Sequence, residues 1–142
     1  MIGHLVSDLE VGDVLGPVDH LVTPFLIREY AHAVEDVSER HHGPSGAIAP
    51  PTIVHSHKTR LLDHACPEGG GPVARLHLVY DAAYHHPVPA SQALSIVGKV
   101  DERYAHKGRE HLVITFEVRD KATGELYTTY RDTTLLSYLA GA

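Results

Sequence analysis

The sequence has little cysteine, no tryptophan and no long apolar run. Cys66 is the only cysteine among 142 residues, which excludes an intrachain disulfide and favours a reducing compartment. No apolar stretch approaches the roughly 20 residues that span a bilayer, and the N-terminal segment lacks the basic and apolar regions of a secretory signal. We therefore expect a soluble, unexported protein of the cytoplasm that does not contact a membrane.

Positive charge is also scarce. The chain carries 12 Lys+Arg against 18 Asp+Glu, a formal net charge of −6 with histidine neutral. Such a balance gives no general attraction to nucleic acid phosphates or to an anionic membrane. Hydrophobic residues make up 43% of the chain, which is enough for one core, and the length is typical of one domain. We expect residues 1–142 to form a single domain that binds no nucleic acid.

Histidine, in contrast, is abundant, with 13 residues. The spacing is not that of a metal site, because His55 and His57 fall on different sides of a helix and the adjacent pair His41 and His42 tends to diverge. Cys66 has no assigned base that would make it a nucleophile. We expect no metal and no cofactor, and ordinary solvated or hydrogen-bonded histidines at most of these positions.

The first half of the chain predicts a strand, a helix, a polar loop and a second helix. A short irregular strand covers 13–22, and a helix over 24–36 follows the N-cap residue Thr23 and a proline at the first helical position. The loop 37–51 is rich in Ser, Gly and Pro, a composition typical of functional loops. The second helix is predicted over 52–65, before a proline and a run of glycines.

The second half alternates between apolar and polar residues, which indicates strands. Four strands are predicted, over 73–84, 94–104, 111–119 and 126–137. We expect them to form one antiparallel meander, with the second helix covering its apolar face. The fold class predicted in this way is α+β.

Four segments together resemble the MaoC-like hydratases and dehydratases, most closely the N-terminal MaoC-like dehydratase domains. They are 8–16 (DLEVGDVLG), 30–36 (YAHAVED), 47–52 (AIAPPT) and 80–88 (YDAAYHHPV). The resemblance covers most of the chain and implies a single hotdog fold, an antiparallel sheet wrapped around a central helix. It also implies a homodimer and an activity on 3-hydroxyacyl or enoyl thioesters of coenzyme A or acyl carrier protein.

The catalytic motif of the resembled family is Asp-x-Asn-Pro-x-His. Laid on 36–41 (DVSERH), it keeps Asp36 and His41 at the same spacing but has Ser38 and Glu39 in place of Asn and Pro. Removing water from a 3-hydroxyacyl thioester needs a base for the C2 proton and an acid for the hydroxyl, and an Asp/His pair supplies both. We predict His41 as the base and Asp36 as its acid partner, with His42 as the alternative if the register is shifted by one.

The start of the second helix predicts the binding site of the thioester carbonyl. Backbone N–H groups at a helix start suit the negative charge that develops there. Pro50 and Pro51 donate nothing, so the N–H groups of Thr52 and Ile53 are the first available. In the resembled enzymes the acyl carbonyl lies at this place.

Two other functions compete with the dehydratase. A catalytically diverged hotdog subunit, which binds an acyl group or an active partner, is favoured by the loss of Asn and Pro at Ser38 and Glu39. A hotdog thioesterase is less well supported, because the helix start at Thr52 lacks an acidic residue.

At the turn before the third strand the family has Gly-Asp where this chain has Ser91 and Gln92, which predicts a reshaped turn stiffened by Pro89.

Overall fold

Two α-helices and five strands make up most of the regular structure in the part of the chain that the structure describes. The computed structural model describes residues 5–42, 47–69 and 76–136. Short 3-10 turns cover Val6–Asp8, Glu39–His41 and Pro51–Ile53. The longer elements, in chain order, are β1 Val14–Val22, α1 Pro24–Ala33, α2 Val54–Ala65, β2 Leu76–Tyr84, β3 Gln92–His106, β4 Arg109–Asp120 and β5 Leu126–Leu135.

All five strands belong to one antiparallel sheet in the order β1-β3-β4-β5-β2. The α+β class is as predicted, but the meander is only partly correct. Strands β3, β4 and β5 do follow one another, whereas β2 pairs with β5 instead of β3. After β2 the chain crosses to the other side of the sheet, where β3 begins beside β1. Alternation of apolar residues marks a strand but carries no information about its partner, so the sequence could not reveal this crossover.

Helix α2 fills the concave side of the sheet and contacts β1 and β3. Its buried face consists of Val54, His57, Leu61 and Leu62. Gly98 on β3 allows the close approach, because a Cβ there would lie 2.8 Å from the Cδ2 atom of Leu61. Most of the buried apolar side chains of the described residues form one cluster that includes this contact. Neither helix in the described ranges is long and apolar enough to cross a membrane.

One end of α1 is as predicted, and the other differs at a place that matters for function. Thr23 caps α1 as predicted, since its Oγ1 accepts from the N–H of Leu26 at 3.1 Å. The helix ends at Ala33 rather than at 36, because Glu35 takes a left-handed φ of 58°. This reversal lets the N–H of Asp36 donate to the carbonyl of Ala31 at 2.8 Å. Asp36 is therefore held beside the helix end instead of continuing it.

The turn before β3 keeps a left-handed residue although it has no glycine. Ser91 has φ 66°, and its N–H donates to the carbonyl of Val22 at 2.7 Å. Ser91 thus adopts a conformation that glycine takes more readily, and the bond to β1 holds it there. The reshaping of this turn relative to the family stays a prediction. Pro89 forms an isolated bridge with Ile48, which connects this turn to the loop that precedes α2.

Candidate functional site

A cavity of about 210 Å³ lies between the loop after α1, the start of α2 and the segment after β2. The residues of its wall range from exposed to buried. The interior is mostly apolar, with His41, His57 and Thr128 as its buried polar side chains. The other wall residues are Arg40, Ile48, Ala49, Pro50, Pro51, Ile53, Val54, Tyr84, His86, Pro87 and Val88.

Backbone hydrogen bonds fix the loop that carries Asp36 and His41. The Oδ1 atom of Asp36 accepts from the N–H of Ser38 at 3.0 Å, and the N–H of His41 donates to the carbonyl of Ser38 at 3.1 Å. The N–H of Ile48 then donates to the carbonyl of Arg40 at 2.8 Å. The loop is thus attached both to the end of α1 and to the strand-like segment that leads into α2.

His41 is buried, with 1% of its surface exposed. Its Nδ1 lies 2.5 Å from the carbonyl oxygen of Ile48. A carbonyl oxygen only accepts, so Nδ1 carries the proton and the neutral ring has its lone pair on Nε2. This arrangement leaves Nε2 as the nitrogen that can act as a base.

The Nε2 atom of His41 lies 3.1 Å from Oδ2 of Asp36. The contact is close but not aligned as a hydrogen bond, and no other described residue bonds to this nitrogen. A basic nitrogen and a carboxylate at this distance can hold a proton between them. The structure therefore brings together the two side chains that the motif spacing predicted as a pair.

The surroundings of Asp36 favour its ionised form. The hydrogen bond from the N–H of Ser38 is the main reason that the pKa of Asp36 is lowered, and His41, whenever its ring is protonated, and the charge of Arg40 act in the same direction. Burial opposes them, but about one third of the side chain (34%) is exposed. Asp36 is therefore a carboxylate at neutral pH.

His42 takes a different position from His41. It is exposed, does not line the cavity, and its Nε2 donates to the backbone carbonyl of Asp36 at 2.8 Å. It thus supports the loop from outside. Of the two adjacent histidines, the geometry puts His41 against the carboxylate.

Tyr30 holds the start of α2, although the sequence did not predict it as a residue of the site. The hydroxyl of Tyr30 lies 2.8 Å from the carbonyl oxygen of Thr52 and 3.0 Å from its Oγ1. The N–H of Ile53 already donates to the carbonyl of Pro50 at 3.0 Å, whereas the N–H of Thr52 lies in the first helical turn, where such groups lack helical partners. Of the two predicted donors, Thr52 therefore has the N–H with no backbone acceptor among the described residues, whereas Ile53 is the one that belongs to the cavity wall.

His57 is a second residue of the site that was not predicted from the sequence. It is 1% exposed and lines the cavity, although the helical spacing of Val54, His57 and Leu61 marks it only as a core position. Within the described ranges, no group of three His, Cys, Asp or Glu residues is arranged to hold a metal ion. Cys66 is buried at the far end of α2.

Comparison with known sequences gives a family match over most of the chain. The family model of the FAS1-like dehydratase domain region matches residues 10–129. A UPF0336 protein from Saccharopolyspora erythraea is 32% identical over an alignment of 103 residues that covers 65% of this chain. The match spans 66% of that relative's length.

Solved structures share the fold. A MaoC-like dehydratase from Rhodospirillum rubrum has a TM-score of 0.71 at 19% identity, with 92% of this chain and 94% of that chain covered. The C-terminally truncated HadBC complex, a 3R-hydroxyacyl-ACP dehydratase from Mycobacterium tuberculosis, has a TM-score of 0.70 at 20% identity, with 88% and 96% covered. The hotdog fold implied by the MaoC-like resemblance is thereby confirmed.

Proposed function

The chain belongs to the family of the FAS1-like dehydratase domain region, and from this premise we propose that it is a hydro-lyase. It removes water from a 3-hydroxyacyl thioester, or adds water to the enoyl thioester in the reverse direction. The observation that carries the proposal is the contact of 3.1 Å between His41 Nε2 and Asp36 Oδ2 at a mostly apolar cavity. Such a cavity suits an acyl chain, and the pair suits proton transfer next to it.

In this proposal His41 is the base and Asp36 its acid partner. His41 Nε2 takes the proton from C2, and the electron pair of the C2–H bond forms the C2–C3 double bond. The C3–O bond breaks, and the leaving hydroxyl receives the proton that the His41–Asp36 pair now holds. Because Asp36 is ionised beforehand, its negative charge stabilises the imidazolium formed at His41. Water is the only other product, and the reaction needs no cofactor.

The helix start would stabilise the charge on the thioester. As the C2 proton leaves, negative charge develops on the carbonyl oxygen, and a backbone N–H is a suitable donor to it. We assign this role first to the N–H of Thr52. The N–H of Ile53 contributes only if its bond to Pro50 is shared. Tyr30 is a positioning residue, because it holds the carbonyl and the hydroxyl of Thr52.

We further propose that residues 1–142 act as one domain in a homodimer formed through β2. This strand is a sheet edge, and it exposes the apolar residues Leu76, Leu78, Val79, Tyr80 and Tyr84. An open edge of this kind favours pairing with a second copy. Tyr84 also lines the cavity, so the partner would lie beside the site.

Light scattering tests the dimer. We expect a dimer for the natural protein and a monomer for Val79→Lys, because a charge on the edge strand opposes pairing. Val97→Lys is the matched control, since Val97 is also exposed but lies on the inner strand β3. A natural protein that is monomeric at micromolar concentration would contradict the homodimer.

A diverged subunit that binds an acyl group or an active partner is the second candidate. The replacement of the family's Asn and Pro by Ser38 and Glu39 is the observation that favours it. Thioester hydrolysis is the third and least supported.

One assay distinguishes these functions. Purified protein is offered enoyl and 3-hydroxyacyl thioesters on coenzyme A and on acyl carrier protein, and both water exchange and free thiol are measured. Interconversion of the two thioesters supports the hydro-lyase, and release of free thiol supports the thioesterase. Binding of acyl thioesters without turnover supports the diverged subunit and contradicts the enzyme.

A further inference from the structure

His57 is a buried histidine whose two ring nitrogens are both unused. It lies in the first turn of α2, and neither Nδ1 nor Nε2 has a hydrogen-bond partner among the described residues. A neutral imidazole has one donor and one acceptor, and burying both without partners costs stability. Unpaired buried polar groups are rare in proteins and often mark a place where a ligand or a function makes use of them.

The groups around His57 disfavour its charged form. The ring of His20 lies edge-on with its centroid 5.7 Å away. Burial is the main reason that the pKa of His57 is lowered to about 3, and the charges of His20 and Arg60 lower it further. His57 is therefore neutral at physiological pH and offers one donor and one acceptor to a neutral group.

The position of His57 relates it to the substrate. It lines the same cavity as His41, and it follows Ile53 by four residues, which is about 6 Å along a helix. Thr128, which is 3% exposed, adds a second polar side chain to the cavity wall. With the thioester carbonyl at the helix start, these side chains would meet the acyl chain beyond C3.

We propose that His57 selects acyl chains that carry a neutral oxygen, a hydroxyl or a keto group, beyond C3. This inference rests on the proposed function and makes its substrate class more specific. Both oxygens can pair with a neutral imidazole, since a hydroxyl donates and accepts and a keto oxygen accepts. A carboxylate on the chain would be buried beside a ring that stays neutral and offers no positive charge to balance it, which costs free energy. A plain alkyl chain would leave both nitrogens unpaired in the complex.

The test compares matched substrates. Enoyl thioesters of one length and one carrier are prepared with a plain chain, with a hydroxyl group and with a keto group. We expect the natural protein to have a kcat/KM at least about tenfold higher for one of the oxygenated chains than for the plain chain. His57→Leu should reduce this ratio by about tenfold or more, and His57→Gln, which keeps a donor and an acceptor, should retain part of it. The inference is overturned if the natural protein prefers the plain chain, or if His57→Leu keeps the ratio.

The matched control is His64→Leu, the same substitution at an exposed position of the same helix, which should keep the ratio. Saturated acyl thioesters with and without the oxygen are also titrated calorimetrically, so that the result does not depend on turnover. Tighter binding of the oxygenated chain that His57→Leu abolishes supports the inference even if no turnover occurs and the hydro-lyase proposal fails. Equal affinity for both chains overturns it even if turnover is observed.

Discussion

His41 and His57 are equally buried in one cavity wall, yet their surroundings differ completely. His41 donates from Nδ1 to a backbone carbonyl and has a carboxylate next to Nε2. His57 has no hydrogen-bond partner in the described part of the chain, and the charged groups acting on it are positive. Burial alone therefore does not define the role of a histidine. The carbonyl and the carboxylate next to His41 suit this ring to proton exchange. The two unbonded nitrogens of His57 leave this ring able to hydrogen-bond a neutral group of a ligand.

Removing the proton-exchanging pair should have the largest effect. We expect His41→Ala and Asp36→Asn each to lower kcat by about 10²–10⁴, the usual contribution of a general acid or base. Asp36→Asn removes the negative charge that stabilises imidazolium at His41, while the amide oxygen can still accept from Ser38. Steady-state kinetics with the best thioester gives the measurement, and circular dichroism with light scattering checks fold and assembly.

His42→Ala is the matched control, because His42 is adjacent in sequence but exposed, and its ring bonds to the backbone carbonyl of Asp36 instead of the carboxylate. We expect a small change in kcat. A silent His41→Ala together with a damaging His42→Ala would reverse the assignment of the two histidines.

Sequence patterns predicted the local part of this arrangement. Thr23 and the following proline predicted the start of α1, and the resemblance to the motif Asp-x-Asn-Pro-x-His predicted that Asp36 and His41 belong together. Contacts between residues far apart in the chain could not be predicted from these patterns. The bond from Tyr30 to Thr52 joins residues that no periodicity connects, and the pairing of β2 with β5 depends on the whole sheet. From the sequence we expected ordinary solvated or hydrogen-bonded histidines at most positions, and only the structure reveals that His57 is buried with no hydrogen-bond partner among the described residues.

Removing His57 should stabilise the protein, and more so at low pH. Leucine in its place removes two unpaired buried polar atoms, which we expect to raise the free energy of unfolding by about 1 kcal/mol at neutral pH. The native pKa of about 3 lies below the value of 6.5 for a free histidine. As pH falls below 6.5, the unfolded state takes up a proton that the native state does not. The natural protein therefore loses up to about 1.4 kcal/mol per pH unit through this group.

Urea unfolding at about pH 7.5 and about pH 5 measures this difference. The advantage of His57→Leu over the natural protein should grow by about 2 kcal/mol between the two conditions. His64→Leu, on the exposed side of α2, should show no such growth. An advantage that is the same at both pH values would mean that His57 is hydrogen-bonded or solvated after all.

Removing the contact between Tyr30 and the start of α2 should lower the activity less than the changes at Asp36 and His41. Tyr30→Phe removes the hydroxyl that contacts Thr52, which should cost about 1 kcal/mol of stability. We expect kcat to fall by less than about tenfold with little change in KM, because the N–H of Thr52 acts mainly on the charged transition state. Tyr104→Phe, on the exposed part of β3, is the control. A changed KM with an unchanged kcat would argue against this positioning role.

The smallest effect is expected at the turn before β3, which supports the cavity without contributing to its chemistry. Ser91 has φ 66°, a conformation that glycine adopts at lower cost, so Ser91→Gly should stabilise the protein by about 0.5 kcal/mol. The variant should keep its kcat. Ser95→Gly, inside β3, should instead destabilise the protein, as glycine usually does within a strand. Thermal unfolding of both variants decides whether the left-handed turn is the cause.

The protonation of the two histidines in the free protein tests the contrast between them most directly. Nuclear magnetic resonance of protein labelled with ¹⁵N at histidine distinguishes protonated Nδ1 from protonated Nε2 and follows each ring as pH changes. His41→Gln and His57→Leu assign the signals. We predict a proton on Nδ1 of His41, and a His57 ring that stays neutral down to about pH 5. A neutral His41 with its proton on Nε2, or a His57 that becomes charged near its ordinary pKa, would contradict the account.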